Sequence, residues 1–234
     1  MGREGVVFEV THESNVPNAV KILFAHSGKS AGKRLRHFEL LASRLEQRRS
    51  AATTAWPRVF GSGLVEIEGI GPVPYQRIEK IDGLPLGRSG SLGDLTSRLR
   101  RLDEFIRQLE TLGSVELHFV HLDPENVIVD SNGRLIIIDF DGFKIGPLDD
   151  RDWYRMSRRL ARTILAAIGN FTPEPVIRDR AFRGFLRRLR ILRASTKRRR
   201  APEAIQFRSL SEFRVEISRA LEKLGELKGG AAVN

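Results

Sequence analysis

Residues 127–138 leave the chain little conformational choice. Val127-Ile128-Val129 and Leu135-Ile136-Ile137-Ile138 are short apolar runs, separated by Asp130-Ser131-Asn132-Gly133. Two buried strands closed by such a turn predict a β-hairpin. A hairpin returns its outer ends to one place, and here both outer ends are polar. Leu122-Asp123-Pro124-Glu125-Asn126 precedes it and Asp139-Phe140-Asp141-Gly142 follows it. The pattern therefore gathers an amide and carboxylates into one cleft, and such oxygen ligands suit Mg²⁺.

The chain before the hairpin is rich in strand signals. Val6–Val10 and Ala19–Phe24 are β-prone runs joined across Asn15, Pro17 and Asn18. Leu35, Phe38, Leu41, Ala42 and Leu45 recur at helical spacing and predict a helix over 32–49. Two further strands are expected over 58–66 and 74–81, and Asp82-Gly83-Leu84-Pro85 then breaks the pattern. Beyond it the sequence turns helical, with segments expected over 92–99, 102–112, 151–168, 180–192 and 209–224. Residues 228–234 read as a frayed tail. The fold class expected is α+β: a small β-rich unit over 1–82 followed by a larger helical unit over 83–234.

With Asn126 and Asp139 thirteen residues apart, the loop, hairpin and Asp-Phe-Asp-Gly segment together resemble the catalytic and metal loops of protein kinases. That resemblance implies a two-lobed kinase-like fold, with ATP as nucleotide and Mg²⁺ held by Asn126 and Asp139. It also implies a phosphate-positioning ion pair between a strand lysine and a helix glutamate; Lys21 and Glu39 occupy those places. Gly2 and Gly5 would cover the phosphates, and Glu79 to Ile81 would offer backbone groups to the adenine.

Kinases carry the catalytic aspartate five residues before the asparagine, and this chain has His121 there. Three readings stay open. His121 accepts the hydroxyl proton itself, since imidazole titrates near neutrality; Asp123 reaches in; or transfer is lost and a pseudokinase scaffold remains. Asp152 comes soon after the metal loop, and resembles the aspartate that braces the catalytic loop in kinases. So short a segment looks more like bacterial kinases acting on small molecules or lipopolysaccharide than like protein kinases. Ile145-Gly146-Pro147-Leu148 and the loop together resemble the bacterial PhoP regulatory network protein YrbL family. Kinases also have a strand before the glycine loop, so here the first strand is missing or lies upstream of Met1.

The formal net charge is +11 over 234 residues, with arginine dense between 151 and 200. Such a field attracts anions in general. Phe182, Phe185, Leu186, Leu189 and Leu192 form one helical stripe. Arg183, Arg187, Arg190 and the Lys197–Arg200 cluster lie largely off it, a face open to an anionic partner. Nucleic acid is disfavoured as that partner, because no stacking or base-reading motif accompanies the charge. His12, His26, His37 and His118 lack metal-ligand spacing, which disfavours zinc. With no cysteine, no signal peptide and no bilayer-length apolar run, a cytoplasmic location is expected.

Overall fold

The computed structural model describes residues 6–10, 18–24, 28–49, 55–88, 93–169, 179–195 and 206–230. The fold is mixed α+β and divides into two compact units, Met1–Asp82 and Gly83–Asn234.

In the first unit, β1 (Val6–Val10), β2 (Asn18–Ile22), β3 (Val59–Ile67) and β4 (Gly71–Glu79) form one antiparallel sheet in the order β1-β2-β4-β3. The chain leaves β2 for α1 (Ala31–Gln47) and returns to β3. Helix α1 buries Ala31, Phe38, Leu41 and Leu45; of the stripe read from its sequence, Phe38, Leu41 and Leu45 are buried while Leu35 and Ala42 are half-buried. Strand β4 begins earlier than expected, at Gly71. It keeps Pro72 and Pro74 within the ladder, while Leu23 donates to the Pro74 carbonyl at 3.0 Å.

In the second unit, α2 (Leu95–Gly113) is one helix where two were expected. Leu95, Leu99, Leu102, Ile106, Leu109 and Leu112 are buried along it. That spacing of three and four residues passes through Arg100 and Arg101 without a breaker. Asp94 caps the helix, accepting from the Ser97 amide at 2.8 Å. Three short pairings follow from the chain's local returns. The segment β5 (Gly83–Pro85), expected only as a break in the pattern, pairs with β7 (Val127–Asp130), and β7 pairs with β8 (Leu135–Ile137). Strand β6 (Leu117–Phe119) pairs with β9 (Phe143–Ile145).

Helix α3 (Asp150–Ile168) packs on α4 (Arg180–Ala194), and α5 (Leu210–Gly230) packs on α2. Phe207 stacks on Phe213 with centroids 3.8 Å apart, and Phe185 meets Phe207 edge-on. Arg214 on α5 ties two carboxylates of α2, Glu110 at 2.7 Å and Asp103 at 3.0 Å. Helix α5 continues through Gly230, beyond the expected end at 224. Among the described residues no helix is long and apolar enough to cross a membrane.

Candidate functional site

The hairpin turn shows why its two ends meet. Gly133 takes φ +73°, a conformation that favours glycine. The Asp130 carboxylate accepts from the amides of Asn132 (3.0 Å) and Arg134 (2.7 Å), an Asx-type closure. Register then pairs Val127 with Ile137, and the Ile138 amide donates to the Asn126 carbonyl at 3.0 Å. Asp139 is the next residue. The Asn126 Nδ2 donates to Asp139 Oδ2 at 3.4 Å and to the His121 carbonyl at 3.2 Å. Asn126 thus turns Nδ2 toward the Asp139 carboxylate; a cation held by both would need the amide turned so that Oδ1 joins the carboxylate, and hard oxygens of this kind fit Mg²⁺. Among the described residues there is no group of three or more His, Cys, Asp or Glu able to hold a metal ion. A cation at Asn126 and Asp139 would therefore draw its remaining ligands from outside these side chains.

The loop between β6 and Asn126 is fixed from two sides. The Val120 amide donates to the Gly142 carbonyl at 2.7 Å, which holds the loop to the segment after Asp139. From α3, the fully buried Thr163 hydroxyl donates to the Leu122 carbonyl at 2.6 Å. This brace was not read from the sequence, where Asp152 was expected to hold the loop. Asp152 instead accepts from Lys144 at 2.5 Å and from Arg155 at 3.4 Å, and the Lys144 ammonium holds its carboxyl below the usual range. Thr163→Val is expected to cost about 1–2 kcal/mol, because the Leu122 carbonyl would be left unpaired. Urea denaturation of the variant checks this.

Asp123 and His121 differ sharply in setting. The Asp123 carboxylate accepts from Arg159 at 2.6 Å and from Arg162 at 3.3 Å, both on α3. It is committed to an ion pair rather than presented for proton transfer. His121 is exposed.

The first unit holds the other expected site residues. Lys21 is half-buried on β2, in register with Val7 and Gln76. Glu39, expected beside the apolar stripe of α1, is exposed and makes no ion pair with a described residue. Leu35 and Ala42, its neighbours one turn away, are themselves only half-buried. The ion-pairing glutamate of α1 is Glu46, with Arg49 at 3.0 Å and Arg58 at 3.4 Å. The Glu79 amide donates to the Arg58 carbonyl at 2.8 Å, so its N–H is already used. Ile81 is half-buried just beyond β4. Gly2 and Gly5 lie outside the described residues.

On α4 the expected stripe is buried, with Arg183, Arg187 and Arg190 exposed. Arg188 turns inward, donating to Glu216 at 3.2 Å and lying over the Phe207 ring at 4.1 Å. The Lys197–Arg200 cluster lies outside the described residues. No protein-family model matches the chain, and no curated protein matches it.

Proposed function

We propose that this is an atypical kinase-like protein that binds ATP with Mg²⁺ and transfers phosphate to a hydroxyl of a small molecule or lipopolysaccharide. The observation that carries the reading is the meeting of Asn126 and Asp139 at the foot of the hairpin, with Asn126 also tied to the His121 carbonyl. Asn126 and Asp139 would hold Mg²⁺, which when bound offsets negative charge on the phosphates. His121 would accept the acceptor hydroxyl's proton as the acceptor oxygen bonds to the γ-phosphorus. The bond from that phosphorus to the bridging oxygen breaks, and ADP departs. Asp123 supports the loop through its two arginines and is not assigned the proton.

A second reading, a pseudokinase scaffold that regulates by binding a partner, is favoured by one observation. The only carboxylate within the loop's Leu122–Pro124 stretch is taken up by Arg159 and Arg162.

The test is the melting temperature with saturating ATP, with and without Mg²⁺. Ligand at about 100 times its dissociation constant adds roughly 2.7 kcal/mol, a rise of several degrees for a chain this size. A rise that requires Mg²⁺ is expected. The absence of any rise would sink the nucleotide reading. A rise without ATP turnover, across a panel of hydroxyl compounds, would select the scaffold.

A further inference from the structure

Helix α3 carries more positive charge toward the loop than the loop can neutralise. Tyr154, Arg155, Arg158 and Arg159 stand at positions that share one helical face. With Val120 and His121 they line a cleft of about 240 Å³. Three arginines line the cleft, Arg155, Arg158 and Arg159, and Lys144 and Arg162 share carboxylates with two of them. Two carboxylates pair with four of these cations, and Asp149 lies near enough to Lys144 to act on its charge. Asp152 takes Lys144 and Arg155, and Asp123 takes Arg159 and Arg162. Arg158 pairs with neither. One of its terminal nitrogens donates to the Ser195 carbonyl at 3.0 Å. Its Nε is buried with no hydrogen-bond partner among the described residues. A buried N–H on a cation without an acceptor is costly, and the same guanidinium helps form the wall of the cleft, where an anion would offset its charge.

We propose that this cleft is a phosphate-binding subsite, and that the acceptor is a hydroxyl compound already carrying a phosphate monoester. The inference rests on the kinase-like reading for the acceptor's role, and on the arginines alone for the phosphate. Guanidinium forks match phosphate oxygens two at a time, and a dianion answers the surplus of cations better than a single carboxylate does. The placement has a chemical consequence. A phosphate anchored on Arg155 and Arg158 brings the rest of its molecule to His121, at the rim of the same cleft. There a hydroxyl could give up its proton.

The experiment titrates the full chain with inorganic phosphate at constant ionic strength in EDTA, reading the melting temperature. A saturable rise is expected. Arg158→Gln and Arg155→Gln should each weaken the apparent affinity at least about tenfold, the loss of a charge-assisted hydrogen bond. Arg155→Gln guards against a folding defect in the other variant, since Lys144 still satisfies Asp152. No saturable rise, or variants that titrate like the parent, would overturn the subsite. Glycerol 3-phosphate should bind at least as tightly as inorganic phosphate; binding of the inorganic ion alone would overturn the acceptor assignment. Asp139→Asn separates the two readings, because it should leave phosphate binding in EDTA unchanged. A chain that binds phosphate through Arg158 yet ignores ATP with Mg²⁺ would keep the anion site and lose the kinase reading.

Discussion

Asp139→Asn is expected to abolish the magnesium-dependent part of any ATP-induced rise in melting temperature, while changing the stability of the unliganded chain by no more than about 1 kcal/mol. The two halves of that expectation have separate causes. Asp139 is half-buried at the foot of the hairpin and accepts from the Asn126 side chain at 3.4 Å. An asparagine in its place has nearly the same shape and keeps one oxygen able to accept that bond. What it loses is the negative charge, which a hard dication requires most. Melting curves with ATP and Mg²⁺, and with ATP and EDTA, separate the effects. If the variant still responds to Mg²⁺ as the parent does, Asp139 is not a metal ligand and the functional proposal fails with it.

What could be read from the sequence, and what could not, divides by distance along the chain. The hairpin was legible because its strands, turn and polar ends all fall within a short stretch. Asp130 and Gly133 fix the turn locally, and register does the rest. The buried stripes of α1 and α4 were legible for the same reason. The pairing of β6 with β9 was not. Leu117–Phe119 and Phe143–Ile145 are three residues each, too short for alternation to register as a pattern. Glu39 illustrates a subtler limit. Periodicity names the buried stripe but leaves open which flanking residue tips inward, and packing turned Glu39 out. Asp123 shows the largest gap. Its partners Arg159 and Arg162 lie far along the chain on α3, as does Thr163, which braces Leu122. No local spacing announces that an aspartate in a loop will be clamped from a helix formed later.

Gly142→Ala is expected to cost about 3 kcal/mol, at the upper end of what overpacking does, and to displace His121. A methyl group at this glycine would lie 2.6 Å from the His121 Cβ and 2.9 Å from the Phe119 ring. Neither obstacle is the far end of a flexible chain. The His121 Cβ moves only if its backbone moves. That backbone is held by the neighbouring Val120 amide, which donates to Gly142 itself at 2.7 Å. Phe119 is buried and pinned against Phe143 with centroids 4.8 Å apart, and Phe143 in turn stacks on Phe140. Relief therefore has to come from opening the β6–β9 pair or from shifting the loop, and either moves the residue proposed to take the proton. Gly184 is the matched control. It sits exposed in α4, with nothing within 4 Å of an added Cβ. There alanine should stabilise by about 0.5–1 kcal/mol through helix propensity alone. Urea denaturation of both variants measures the contrast. A Gly142→Ala chain as stable as the parent would mean that His121 and Gly142 are not packed together, and would remove the argument that one rigid turn holds the loop and the Asp139 segment in place.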